Sequence, residues 1–313
     1  MSCTLPELFS TIEVTEPQQA NGLQVFGLRW KPGDALNYAT LDEALAAETL
    51  DVTEVNEGGS VPVLKVVNKS DAMVFLMAGE QLIGAKQNRV LNASIMVAGR
   101  SVLPIPVSCV EAGRWHYRSP KFSSGGSTSH GILRKMMSSD AYAGYRAAGS
   151  PTSDQAKIWG EVARKLGAMG SVSPSHALHQ AYEDQQMRLS DVLGQLRVPQ
   201  DCCGVAFVVA GKIAGVDLFD QPATLAKLFP KLLRAYALDA LEAADPQAAP
   251  ASATAVKEWL GTAAGAKAEP FKSPGLGYDV RLEGAGVVGA GLLVEEHPVH
   301  AELFADDGAG AQP

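Results

Sequence analysis

Long apolar runs are missing from this sequence. The longest, Gly204 to Ala210 and Val287 to Val294, fall well short of the roughly 20 residues that a bilayer span needs, which argues against a membrane protein. The opening stretch, MSCTLPELFSTIEVTEPQQ, has neither a basic segment nor an apolar one behind it, so no secretory signal is visible and a cytoplasmic location is expected. Cysteine is scarce. Cys3, Cys109, Cys202 and Cys203 show no metal spacing, and an adjacent pair cannot bridge without strain, so reduced thiols are expected rather than a disulfide framework. An excess of basic charge is lacking as well: 26 Lys and Arg stand against 34 Asp and Glu, giving −8, which excludes a protein that coats nucleic acid non-specifically. No repeat of solenoid period is present.

What remains is a soluble, globular composition. The 313 residues are 46% hydrophobic and 19% charged, enough for one large or two modest domains with a real core. The charge is unevenly distributed. Between Gly79 and Lys135 lie Lys86, Arg89, Arg100, Arg114, Arg118, Lys121, Arg134 and Lys135 against only Glu80 and Glu111, a segment of 8 − 2 = +6 inside a remainder of −14. Such an island is unfavourable unless it meets an anion, or unless its acidic partners come from elsewhere in the chain.

Gly22 to Trp30 reads as a strand, and Thr40 to Thr49 as a short helix capped by Thr40 with Asp42 and Glu43 in its first turn. Four strand-like runs follow, Val61–Val67, Ala72–Ala78, Arg89–Val97 and Val102–Val110, rich in Val, Ile, Leu and Met and separated by turn residues, which predicts an antiparallel, sandwich-like half. Pro104 and Pro106 cannot donate to a ladder, so Val102–Val110 is expected at an edge. Residues 123–131, Ser/Gly-rich, read as a flexible loop between a β-rich domain (1–122) and a second domain (132–304). In the latter the spacing predicts helices over Asp154–Leu166, Pro174–Leu196 and Pro222–Leu241, and a hairpin over Gly204–Phe219. An Ala/Pro-rich insert at 243–268, a strand pair Gly277–Leu282 and Val287–Val294, and a disordered tail at 305–313 complete the reading. The expected class is α+β, with a β-rich N-terminal half and a helical C-terminal half containing hairpins.

Two polar clusters can carry chemistry. In Gly79-Glu80-Gln81-Leu82-Ile83-Gly84-Ala85-Lys86-Gln87-Asn88-Arg89, a point charge (Lys86), a bidentate donor (Arg89) and the amides of Gln81, Gln87 and Asn88 suit a phosphate plus a sugar or base, with Glu80 as a general base or an anchor for the arginine. In Cys109-Val110-Glu111-Ala112-Gly113-Arg114-Trp115-His116-Tyr117-Arg118, Glu111 and Arg114 can bracket a ligand while Trp115 or Tyr117 stacks on a flat ring; equally, Trp115 can plug the end of the sandwich while Glu111 pairs with Arg114 to seal it. Cys109 reads as a buried, inert thiol. His130 in the Ser/Gly stretch, with Arg134 and Lys135 beyond it, can close over a bound anion.

Metal sites are not expected. His176-x-x-His179 reads as a surface pair on a helix, and His297 and His300 would diverge in an extended segment. Gly284-Ala285-Gly286-Val287-Val288-Gly289 matches G-x-G-x-x-G, but no helix follows it, so it reads as a hairpin turn.

The stretches AGEQLIGAKQNRVLN (Ala78 to Asn92) and PVSCVEAGRW (Pro106 to Trp115) resemble the bacterial ARG and rhodanese-phosphatase-superfamily-associated protein domain, whose name refers to linkage with ADP-ribosylglycohydrolases. The resemblance spans roughly Pro6 to Phe304 and implies a cytoplasmic setting near ADP-ribose, NAD or nucleotide metabolism; it supplies no catalytic residues and no cofactor.

The residues therefore predict a small anionic ligand, ADP-ribose-like or a nucleotide, held by Gln81, Lys86, Gln87, Asn88, Arg89, Arg114, Trp115, His130 and Arg134, with Glu80 and Glu111 as acid/base groups of a hydrolase or transferase acting on a phosphate or glycosidic bond. The competing class is a non-catalytic module recognising a modified macromolecule or a protein partner.

Overall fold

The structure is a computed structural model and describes residues 5–31, 33, 36–243 and 248–306. Two compact units share the chain: unit 1 takes 1–36, 190–272 and 277–313, and unit 2 takes 37–189 and 273–276.

The chain opens in unit 1 with α1 (Leu5–Ser10), β1 (Glu13–Val14), β2 (Gln18–Ala20) and β3 (Leu23–Arg29). Asn21 and Gly22, both at positive φ, make the two-residue turn between β2 and β3, the conformation that favours this dipeptide. Unit 2 then supplies β4 (Tyr38–Thr40), α2 (Leu41–Ala46), β5 (Leu50–Glu54), β6 (Val63–Asn68), β7 (Met73–Leu76), β8 (Glu80–Gly84), β9 (Arg89–Leu91), β10 (Ile95–Val97), β11 (Ser101–Cys109) and β12 (Phe122–Thr128). Helices α3 (Gly131–Ala148), α4 (Gln155–Ala168), α5 (His179–Asp184) and α6 (Gln186–Leu193) follow, the last carrying the boundary between units. Back in unit 1 come β13 (Gly204–Val209), β14 (Lys212–Phe219), α7 (Pro222–Glu242), α8 (Ala253–Ala263), β15 (Lys267–Lys272), β16 (Tyr278–Gly284), β17 (Val287–Val294) and β18 (His297–Ala305).

In unit 1, nine strands form an antiparallel sheet in the order β1-β3-β13-β14-β18-β17-β16-β15, with β2 beside β3. Alternation along the strands gives it an apolar face: Val216, Leu218, Leu282, Ala301 and Leu303 pack with Leu8 of α1 and Val256 and Leu260 of α8. Helix α7 packs by Phe229 and Tyr236 against Phe207 of β13, the Tyr236 ring stacked on Phe207 at 4.2 Å. Gly215 of β14 permits this approach, since a Cβ there would lie 2.0 Å from the Tyr236 hydroxyl.

In unit 2, a six-stranded sheet (β12-β8-β9-β11-β6-β5) and a three-stranded one (β10-β7-β4) share one core. Leu64, Val66, Leu91 and Val107 from the first meet Val74, Leu76, Ile95 and Val97 from the second, together with Leu41 and Ala44 of α2. Helix α2 starts where expected. Thr40 Oγ1 accepts from the Glu43 amide while Glu43 Oε2 accepts from the Thr40 amide, a reciprocal box that engages two otherwise orphaned donors.

Mixed α+β architecture with antiparallel sheets is present, but the division into a β-rich N-terminal half and a helical C-terminal half is not. Six of the nine strands in the unit 1 sheet come from beyond residue 200, and β15 and β18 were not anticipated. Nor do the units follow a cut at 122. Residues 123–131 form most of β12, the turn into α3 and its first residue; the ladder to β8 orders this segment despite its composition. In the 243–268 insert, 253–263 is α8 while 244–247, like 307–313 of the expected tail, lies outside the described residues.

The proline-marked strand is also placed differently. β11 lies inside the sheet, yet Ser101–Pro106 pairs only with β6 and Val107–Cys109 is the part that pairs with β9. The Pro106 carbonyl faces the β9 side, accepting from the Asn92 amide, so both prolines direct their missing N–H away from β6 and cost no ladder bond. The helix expected over 174–196 is broken into α5 and α6, preceded by an irregular stretch. There the Ser175 carbonyl accepts from Gly113 N, Leu178 N donates to the Val110 carbonyl, and Glu111 and Ala177 form a β-bridge, so tertiary pairing overrides helix propensity. His176 thus sits in a turn at φ 51°, not on a helix with His179. Ala285-Gly286 forms the two-residue β16–β17 turn, both at positive φ together with Gly284, the last residue of β16. No helix among the described residues is long and apolar enough to cross a membrane.

Replacing Thr40 by Ala is expected to lower stability by about 1 kcal/mol, visible as a reduced urea midpoint with unchanged m-value; an unchanged midpoint would show the cap to be energetically idle.

Candidate functional site

The two motifs meet in unit 2, where the β8–β9 connection faces the loop after β11. Their centre is Glu111, fully buried. Its Oε1 accepts from Arg114 Nε at 2.9 Å and Ser175 Oγ at 2.6 Å; its Oε2 accepts from Arg114 Nη2 at 2.7 Å and Asn88 N at 2.9 Å. A carboxylate offers about four acceptor sites, so this one is filled. Burial alone would raise its pKa, but the bonds from Arg114, Ser175 and Asn88 outweigh it and hold the carboxyl below its ordinary value.

Arg114 is equally engaged. Its Nη1 donates to the carbonyls of Ala85 and His116, and its Nη2 is shared among Glu111, the Gly84 carbonyl and Asn88 Oδ1. With Nε also on Glu111, every N–H of this guanidinium is directed at the protein, and none is left for a phosphate. Of the two arrangements open from sequence, Glu111 and Arg114 adopt the one in which they seal the motif. Trp115 does not plug the sandwich: it is 45% exposed.

Arg89 is the contrasting cation. Also fully buried, it donates from Nη1 to Gln87 Oε1 at 3.0 Å, whereas its Nε and Nη2 meet no hydrogen-bond acceptor among the described residues. The nearest carboxylate oxygen, Glu54 Oε1, stands 3.9 Å from Nη2, beyond hydrogen-bonding reach. Burial pulls the Arg89 pKa below its ordinary value, opposed by its anionic neighbours. Beside it, Cys109 donates its thiol to Gln87 Oε1 and the Glu111 carbonyl, and burial pushes the thiol pKa up, which makes it an inert neutral group.

Lys86 completes the group. Its Nζ donates to the Gly58 carbonyl at 2.8 Å and lies 5.4 Å from the Trp115 ring centroid and 5.1 Å from that of Tyr117. The Arg89 guanidinium lies over the same Trp115 ring at 5.6 Å. Gly59, at φ 77°, brings the β5–β6 loop down here; a Cβ would crowd Lys86, Trp115 and Glu54. Two cations thus share one half-exposed indole, with Tyr117 (47% exposed) beside it. Next to Tyr117 an open depression of about 520 Å3 is lined by Arg118, Ser119 and Pro120.

The remaining candidates lie at the other end of β8, whose five residues span roughly 13 Å between terminal Cα atoms. Glu80 is buried and its Oε2 accepts from Met77 N, while Gln81 donates to Ser127 Oγ and the Thr128 carbonyl. His130 Nε2 meets Glu161 Oε1 at 2.7 Å, and Arg134 packs against Gly79, where a Cβ would lie 3.0 Å from its side chain. Burial raises the Glu161 pKa, but the bonds from His130 and Arg164 lower it to about 2. So Lys86, Gln87, Asn88, Arg89, Glu111, Arg114 and Trp115 converge, while Glu80, Gln81, His130 and Arg134 form a second buried group.

Sequence reasoning missed Glu54, Ser175 and Gln155. Glu54 was detectable: Leu50, Val52 and Glu54 share the inward face of β5, so the alternation that buries two apolar residues buries an acid with them. Ser175 and Gln155 carry no local signal. Gln155 bonds both backbone groups of Cys109, through Oε1 at 2.9 Å and Nε2 at 2.7 Å, which fixes the end of β11 to the start of α4. Among the described residues no cluster of His, Cys, Asp and Glu is arranged to hold a metal ion.

A family model described as the ARG and Rhodanese-Phosphatase-superfamily-associated Protein domain matches residues 11–304. The chain belongs to that family. Within the family's span fall both motif loops and their partners Glu54, Gln155 and Ser175. No curated protein and no solved structure matches the chain.

Glu111→Gln should destabilise the fold by about 3–5 kcal/mol, because it leaves the buried Arg114 charge uncompensated. The carboxyl is held below its ordinary pKa, so its contribution is complete above the unfolded value of about 4.3 and disappears as pH falls through the lower folded value. Urea titrations from pH 7 to 3 should therefore show the wild type converging on the variant; parallel curves would remove Glu111 from this role.

Proposed function

We propose that unit 2 is a binding module for an ADP-ribose-like or nucleotide ligand, with Trp115 and Tyr117 as the stacking platform, Lys86 and Arg89 as the phosphate-facing cations, and Arg118 as an exposed cation at the entrance. The observation that carries this reading is the pairing of two buried cations, one with its Nε and Nη2 donors unmatched, beneath an aromatic pair that is open to solvent. Buried guanidinium donors without acceptors are costly and call for a partner, and a phosphate oxygen is the partner that a planar fork suits best. The family's name, with its link to ADP-ribosylglycohydrolases, fits a ligand of this class.

The reading departs from the sequence expectation: Glu80, Gln81, His130 and Arg134 belong to the other buried group and take no part in it. Arg114 and Glu111 act as scaffold, since neither retains a free donor or acceptor site. General-base catalysis needs a carboxylate with an available lone pair and a pKa near the working pH; Glu111 is filled and shifted the opposite way. Recognition without turnover is therefore the function that this geometry supports best. A modified macromolecule displaying the same group would present the same phosphates and ring to Trp115.

Calorimetry and thermal shift with ADP-ribose, AMP and ribose 5-phosphate test the proposal. ADP-ribose should raise the melting temperature. Trp115→Ala should weaken it by about 1–3 kcal/mol, the usual worth of base stacking on an aromatic, and Arg118→Ala should weaken all three. Absence of a shift with every anion, or full retention of binding by Trp115→Ala, would overturn it.

A further inference from the structure

Unit 1 carries a cleft of about 430 Å3 that none of the motif residues touches. Its walls are apolar: Leu5 and Leu8 of α1, Trp30 just after β3, Leu293 of β17 and Pro298 of β18. Its charged and polar lining comes from Glu295 and Glu296 at the tip of the β17–β18 hairpin, His297 beside them, Lys31 and Thr11. Among the described residues, neither carboxylate makes a hydrogen bond or ion pair, and Lys31 makes none. The indole Nε1 of Trp30 is buried and meets no acceptor among the described residues.

We infer that this cleft binds a small organic cation, an ammonium or guanidinium group on an apolar body. Its volume lies in the range typical of small-molecule sites, which are mostly apolar with a few polar groups that fix orientation. The lining carries two carboxylates and one ammonium that are not engaged with another described residue, so a ligand cation is favoured there over a ligand anion of the same shape. Tryptophan is the best aromatic partner for a cation, and Trp30 forms one of the walls. Leu5, Leu8 and Leu293 cover the ligand's apolar part; a fully hydrated inorganic cation would have no use for them. The turn adds a further mark. Glu295 and Glu296 sit at φ 51° and 66°, the conformation for which Asn-Gly is the ordinary choice, so turn chemistry does not account for two consecutive glutamates there.

Phenethylammonium and 3-phenylpropionate, alike in size and opposite in charge, are suitable probes for the full chain. The chain has four tryptophans, so four indole N–H signals report the contact, with Trp30 assigned through Trp30→Phe. The Trp30 signal should shift saturably with phenethylammonium, and 3-phenylpropionate should bind at least about ten-fold more weakly, some 1.4 kcal/mol. The Glu295→Gln/Glu296→Gln double variant lies at an exposed turn and should retain the wild-type melting temperature while losing about ten-fold in amine affinity. Trp115→Ala should leave the amine titration unchanged, which separates this site from the one in unit 2. Equal binding of the two probes, undiminished affinity in the double variant, or a response at Trp115 in place of Trp30 would overturn the inference.

Discussion

Unit 2's site is organised around one carboxylate that accepts four hydrogen bonds. Glu111 draws a guanidinium from its own loop, an amide from the β8–β9 turn and a hydroxyl from the stretch before α5 onto a single buried point. Breaking any one strand of this knot exposes a buried charge, so the three segments are fixed together or not at all. The consequences run outward. Arg114, tied to Glu111, also clasps the carbonyls of Gly84, Ala85 and His116, which sets the conformation from which Lys86 and Arg89 depart and the path on which Trp115 and Tyr117 emerge. A rigid scaffold that holds two cations under an open aromatic pair is the kind of preorganisation that makes a recognition site specific.

The cationic island visible in the sequence resolves into three physical roles. Arg100 and Lys121 are surface partners of Asp71 and Asp51, far away in sequence, and contribute little. Arg114 is structural. Arg134 and Lys135 lie on α3 and have interactions of their own there, Arg134 within the second buried group. That leaves Lys86, Arg89 and Arg118 beside the aromatic pair, and of these three Arg89 is the one that is both fully buried and left with donors unmatched among the described residues. A count of charges along the chain cannot make this separation, because it depends on which carboxylates the fold brings back.

Much of the local structure was legible. The Thr40–Glu43 capping box, the 204–219 hairpin, the glycine turn at 284–286 and both motif loops follow from short-range rules that the fold does not override. The misreadings share a cause. The first residues of the helix expected over 174–196 are not helical because Ser175, Ala177 and Leu178 pair with residues some 65 positions earlier. Pro104 and Pro106 signalled an edge, whereas β11 lies between β6 and β9, its first six residues pairing with one and its last three with the other, so the missing N–H groups of the prolines fall where no ladder partner faces them. The Ser/Gly stretch at 123–131 looked mobile, yet edge pairing with β8 orders it. The division of roles between Glu111–Arg114 and Arg89 was beyond sequence reach, since both arginines stand beside acids and amides in the chain, and only hydrogen-bond geometry distinguishes a filled guanidinium from an open one.

That distinction is also where the account is most exposed. Arginine side-chain N–H signals of the full chain, selectively labelled and followed through a titration with ADP-ribose, read it directly. The Nε–H resonance of Arg89 should move saturably toward that of a hydrogen-bonded donor while that of Arg114 stays fixed. Movement at Arg114 with Arg89 silent would contradict the assignment of one arginine to the ligand and the other to the scaffold.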